Sequence, residues 1–216
     1  MDNKKYIRRL LFLWTIAISL VALSACSKDS DSDDNLTKSG GITMKVDGEL
    51  WSASMTTLIS EQQENEEFGS YQLVSIMGTR VIDNNSSEVD DIAESITIYI
   101  AIPDSKFKNP KGIYPVVWQS SSKLNESTVI FGTAASLRDA EMYAPSESGQ
   151  SGTIEISSFE IGDQKVMGYP TGTQGYTKLS GSFKMDLKPV GTTETNKSLK
   201  IAEGTFNLSG GMRFYN

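Results

Sequence analysis

The 216-residue chain has no histidine and a single cysteine, Cys26. Without histidine there is no Ser-His-Asp triad, no Cys-His pair and no imidazole ligand for zinc or haem. With one cysteine there is no internal disulfide and no thiolate cluster for a metal. Positive charge is also scarce: 20 Lys and Arg face 27 Asp and Glu, a net charge of −7. That balance argues against a nucleic-acid partner, whose phosphates call for a basic face. What remains is 38% hydrophobic and 22% charged, a globular composition. The chain is long enough to bury a core without disulfides or metals.

The first nine residues carry Lys4, Lys5, Arg8 and Arg9 against one acid, Asp2, and Leu10 to Ala25 is an uncharged, mostly apolar run. A basic start, a short apolar stretch and small residues at its end predict a secretory signal over residues 1–25. The run is shorter than the roughly 20 residues a spanning helix needs. It ends in Leu23-Ser24-Ala25-Cys26, which resembles a bacterial lipobox. In that motif the cysteine is acylated and becomes the first residue of the mature chain. A buried CH₂ contributes about 0.8 kcal/mol, and one acyl chain alone holds only marginally, so stable anchoring takes two or more. The resemblance implies several chains on Cys26. Cleavage would leave 16 basic and 26 acidic residues, a net charge of −10. No polybasic stretch follows the anchor, so headgroup attraction adds nothing.

Residues 26–40 continue as Cys-Ser-Lys-Asp-Ser-Asp-Ser-Asp-Asp-Asn-Leu-Thr-Lys-Ser-Gly. With Leu36 as the one large apolar side chain, this stretch is expected to be a solvated, self-repelling tether. Asp29, Asp31 and Asp33 have the spacing that opens a calcium loop. The position that should be Gly is Asp34, and the one that should be Glu is Gly40, so the loop fails. An acidic stretch after a lipidated cysteine also resembles the surface-export signal of Bacteroidota lipoproteins. The expected location is therefore the outer membrane with the body exposed, the alternative being a body facing the periplasm.

Residues 41–216 alternate with a period of two. Ile42, Met44 and Val46, then Ile96, Ile98, Ile100 and Ile102, then Leu179, Phe183, Met185 and Leu187 each alternate with mainly polar neighbours, one face for a core and one for water. Asp47-Gly48 sits between two such runs and marks a hairpin. In the last long strand the apolar phase passes from odd (Leu199, Ile201) to even (Phe206, Leu208) across Gly204, which predicts a β-bulge. Further strands are expected near 49–58, 71–82, 113–118, 128–135, 137–143 and 152–161. The one helix candidate is a short turn at 87–94. Many short strands with turn signals make a single all-β domain. The expected form is an antiparallel two-sheet sandwich, with a closed or partly open barrel as the alternative.

Two stretches carry a resemblance. One is Ile42-Thr43-Met44-Lys45-Val46-Asp47-Gly48-Glu49-Leu50-Trp51. The other runs through Gly152-Thr153-Ile154-Glu155-Ile156 and Phe159, then Ser180-Gly181-Ser182-Phe183, then Glu203-Gly204-Thr205-Phe206. In this order they resemble a group of small, uncharacterised all-β lipoproteins of Bacteroidota. The resemblance spans most of 41–208 and implies a fold and a compartment. It implies no activity and carries over no catalytic residue.

Carboxylates are the ordinary acid-base groups that remain. A pair about 5–9 Å apart could hydrolyse a glycosidic bond. The acids gather in two stretches that read as loops: Glu61, Glu64, Glu66 and Glu67, then Glu88, Asp90, Asp91 and Glu94. Solvated charge is the expected role of both, ahead of a calcium site. Ser121-Ser122-Lys123 reads as loop and lacks the helix start of a Ser-Lys nucleophile. Neither catalytic residues nor metal ligands nor a cofactor are therefore assigned. Aromatic side chains offer the remaining surface. Met167 to Tyr176 reads as a Gly-rich loop with Tyr169 and Tyr176 near its ends, and Tyr114 and Trp118 flank Pro115. A hairpin loop whose tyrosines pack back on the body is the first expectation; the alternative is a ligand surface, since exposed Tyr and Trp can stack on a sugar or anchor a protein. Trp51 is expected in the core. The expected function is a non-catalytic binding or interaction module whose partners are the membrane, through Cys26, and a glycan or envelope protein. The alternatives are a structural adhesin-type subunit and a carboxylate-based polysaccharide hydrolase.

Overall fold

The computed structural model describes residues 41–67, 69–82, 92–118, 123–134, 141–166, 169–191 and 197–215. Cys26, the signal segment, the tether and residues 83–91 lie outside them. The described chain is all-β, with twelve strands in a single sheet. They are β1 (Gly41–Val46), β2 (Glu49–Ser52), β3 (Met55–Asn65), β4 (Gly69–Ile82), β5 (Ile92–Pro103), β6 (Gly112–Val116), β7 (Ser127–Ala134), β8 (Glu141–Ala144), β9 (Gly152–Val166), β10 (Tyr169–Pro189), β11 (Leu199–Ser209) and β12 (Gly211–Phe214). Along the sheet the order is β12-β3-β4-β5-β7-β6-β9-β10-β11-β1-β2, with β8 bridging β7 and β10. All pairings are antiparallel except one contact of β6 with β7, at Val116 and Ser127.

This sheet folds over on itself into two facing layers, so the sandwich and the partly open barrel describe one object. Across the core, Trp51 of β2 meets Phe131 of β7 edge-on, ring centres 6.5 Å apart. A Cβ on Gly78 of β4 would lie 2.9 Å from the Ile42 side chain of β1. The alternating residues supply the interior as expected: Ile42, Met44, Ile96, Ile98, Ile100, Ile102, Leu179 and Leu187 are essentially inaccessible, and so is Trp51.

Local signals hold where they were strong. Asp47 and Gly48 have φ of 49° and 92°, and Val46 pairs with Glu49 around them. Two positive φ values in a two-residue loop suit the right-handed strand twist, and glycine takes the second without steric strain. The bulge also forms. Phe183 pairs with Gly204 but Met185 with Ile201, so Ala202 and Glu203 share one partner, and Glu203 takes φ 50°. Gly204 itself lies under the Phe183 ring, where a Cβ would collide.

Four expectations change. The run 49–58 is two strands, not one. Ala53 N–H still donates to Ile42 O of β1, but Ser54 N–H donates to Thr79 O of β4, so the chain changes layer between them. Glu61 and Glu64 lie in β3 rather than a loop, because the β3–β4 hairpin stays paired out to Asn65 and Gly69. Residues 92–94, the end of the proposed helical turn, are strand, paired with β4 from Ile82 to Arg80. Residues 169–176 belong to β10, paired with β9 with one break between Pro170 and Gln174.

Gly204→Ala is expected to lower stability by about 1–3 kcal/mol, as overpacking of a filled core does. Gly210→Ala, whose Cβ would meet the Thr177 backbone at an ordinary 3.5 Å, should stay near wild type. Urea unfolding of both variants checks this.

Candidate functional surface

The aromatic positions separate into inside and outside. Tyr114 and Tyr176 are 2% and 0% exposed, so the accessible faces a ligand surface would need from them are absent. Their hydroxyls explain why. Tyr176 Oη donates to Phe107 O at 2.9 Å and Tyr114 Oη to Pro110 O at 2.6 Å. Both therefore pin the segment between β5 and β6, a short 3₁₀ turn at Asp104–Lys106 and the residues after it. The Phe107 ring packs at 5.3 Å from Tyr176, and Phe159 closes the other side edge-on at 6.2 Å. Burial pushes the Tyr114 phenol up to about 12 and raises that of Tyr176. Trp118 follows β6, half-buried and with interactions of its own in the fold. Tyr169 opens β10 with its backbone paired to Val166. The structure thus brings Tyr114 and Tyr176 together, but as core.

The charged groups are occupied too. Arg80 places Nε and Nη2 at 2.9 and 2.6 Å from one oxygen of Glu94 and donates through Nη1 to Leu50 O at 3.2 Å. Its guanidinium lies 5.8 Å above the Trp51 ring, where the ring face attracts a cation. Glu141 accepts from Tyr143 Oη at 2.9 Å and from Lys197 Nζ at 3.1 Å. The Tyr143 hydroxyl, then Lys197, hold the Glu141 carboxyl below the usual carboxylate range, and the same contacts push the Lys197 ammonium up. Of the expected acidic clusters, Glu94 serves Arg80, Glu66 and Glu67 form the β3–β4 turn, and Glu88, Asp90 and Asp91 lie outside the described residues. Among the described residues no three Asp, Glu or Cys side chains are placed to share a metal ion.

What the sequence analysis missed is the end of the sheet. β12 pairs with β3 on one side and, among the described residues, has no strand on the other. Tyr215 N–H donates to Ser54 O. In an antiparallel pair alternate residues turn toward the partner, so Arg213 and Gly211 face β3 while the N–H and C=O groups of Met212 and Phe214 point away. Their side chains are exposed as well, 37% and 63%. The opposite end strand, β2, differs. Leu50 and Ser52 turn their backbone outward there, and Arg80 takes the Leu50 carbonyl. The alternation in Gly-Met-Arg-Phe is only four residues long, too short to mark a strand by itself, so the pairing reveals β12.

The outer faces of the two layers also differ. Lys184, Asp186, Lys200, Thr205 and Asn207 are exposed on the β10–β11 side. On the other layer, one row across the sheet runs Met212, Thr57, Met77, Thr97, Ile130 through successive pairings. The next runs Phe214, Met55, Thr79, Ser95, Gly132 by the same pairings. Neither row contains a charge. No protein-family model, curated protein or solved structure shows significant similarity to this chain.

Tyr114→Phe and Tyr176→Phe should each cost about 1–3 kcal/mol by leaving a carbonyl without its donor, read as a lowered urea midpoint. The alkaline limb gives the sign. A phenol near 12 when folded and about 10 when unfolded keeps its proton only in the fold. That stabilisation is whole below pH ~10 and is lost as the pH climbs toward 12. Tyr114→Phe should flatten this decline in unfolding measured between these limits.

Proposed function

We propose that the chain is an outer-membrane lipoprotein, anchored through Cys26, whose β body is a non-catalytic binding or interaction module displayed at the cell surface. Support for the anchor is Leu23-Ser24-Ala25-Cys26 standing directly after a short apolar run, on the only cysteine in the chain. Support for the compartment is the acidic tether and the resemblance of 41–208 to small lipoproteins of Bacteroidota. The observation that carries the binding role is the open strand β12, with Met212 and Phe214 exposed beside unpaired backbone. Exposed apolar side chains at an open sheet edge suit contact with another molecule.

Protease treatment of intact cells tests this, with an immunoblot for the body and Cys26→Ala as the unanchored control. Rapid loss of the wild-type signal, with the variant released from the membrane fraction, is the expected result. Membrane association that survives Cys26→Ala would remove the anchor. Protection until the outer membrane is broken would turn the body toward the periplasm.

A further inference from the structure

We infer that the free edge of β12 is a strand-addition site for an extended segment of another protein, antiparallel, with an acidic residue between two apolar ones. The inference rests on reading the body as a binding module, and is independent of the anchor. Three features of the edge set the chemistry of the partner.

The first is the backbone. Met212 and Phe214 each turn an N–H and a C=O outward, the two hydrogen-bonding positions an incoming antiparallel strand needs. The second is the outer face. Residues opposite Met212 and Phe214 would extend the two uncharged rows that begin at Ile130 and Gly132, so apolar side chains fit there. The third is charge. Arg213, exposed between them, points to the other face, and among the described residues it has no ion-pair partner. A carboxylate directly opposite is favoured, and a like charge is disfavoured.

The same geometry selects against a second copy. Pairing two β12 strands about Arg213 joins Met212 to Phe214 in both directions, the register that uses all the outward groups. It also sets one Arg213 directly against the other. The net charge of the chain, −7, opposes self-association further. The β2 edge, with its Leu50 carbonyl already held by Arg80, is the less available of the two ends.

The test uses the full chain in detergent with two blocked peptides, Thr-Val-Asp-Val-Thr and Thr-Val-Lys-Val-Thr, added to millimolar concentration. Amide hydrogen exchange is read at Met212 and Phe214. The Asp peptide should slow exchange at both and bind about three- to tenfold more tightly than the Lys peptide, the range an opposite-for-like charge exchange gives across a strand pair. Arg213→Glu should reverse that preference. Met212→Pro removes an outward N–H that the β3 ladder does not use, so the fold persists while protection is lost. Equal binding of both peptides, or no protection at either amide, overturns the inference. Protection that grows with protein concentration and no peptide assigns the edge to a second copy and also overturns it. If the peptides fail while a glycan or envelope protein cross-links elsewhere on the body of anchored cells, this inference falls and the binding-module reading stands.

Discussion

A sheet that folds over on itself without closing has two end strands, and each has one side with no strand beside it. How these sides are handled shapes much of this molecule. Unpaired N–H and C=O groups are costly when buried and adhesive when exposed. At β2 the solution is a side chain. Arg80, held by Glu94 and lying over Trp51, donates to the Leu50 carbonyl, so a charge-assisted contact replaces a strand. The corner at Ala53–Ser54 completes the seam, one N–H serving each layer. At β12, among the described residues, no side chain is seen on the outward backbone groups, so the two ends differ.

Several buried polar groups of the interior are satisfied in the same way, while Trp51 Nε1 has no hydrogen-bond partner among the described residues. Ser60 donates to Gln72 inside the core, and Gln164 donates to the Tyr176 carbonyl. Tyr114 and Tyr176 use their hydroxyls on carbonyls of the segment that covers them. Each buried polar group with a partner contributes modestly, but a lost partner costs the full desolvation of the one left behind. These contacts therefore matter more for holding the 104–110 segment in one place than for raw stability. A loop fixed in this way is a lid on the core rather than a ligand-binding loop.

Where one face of a strand is buried and the other wet, as over Ile96–Ile102 or Leu179–Leu187, the alternation is visible in the sequence. The Asp47-Gly48 turn and the phase change at Gly204 were legible for the same reason: each is a local constraint on φ or on which face is buried. The outer half of β3 was not legible. Glu61-Gln62-Gln63-Glu64-Asn65 has no apolar residue and is a strand because β4 pairs with it residue for residue. The turn of layer at Ala53–Ser54 has no Gly or Pro to announce it. The sequence left the tyrosines open between core and surface for a related reason. Whether an aromatic ring is exposed depends on which distant segment crosses it, here Phe107 and Pro110, some 69 residues before Tyr176 in one case. Strand order, and with it the open edge, is wholly non-local.

An exposed strand edge carries a risk of aggregation as well as an opportunity for binding. Two features of this chain limit the risk. β12 is only four residues long, so few backbone bonds are on offer, and Arg213 at its centre opposes pairing with its own copy. A short edge also makes a weak binder. Under the proposed anchoring, that weakness matters less. A body held at a membrane by a tether meets partners on the same surface at an effective concentration far above that in bulk. On the proposed reading, anchoring would serve encounter and the edge would serve selection, so the two act together.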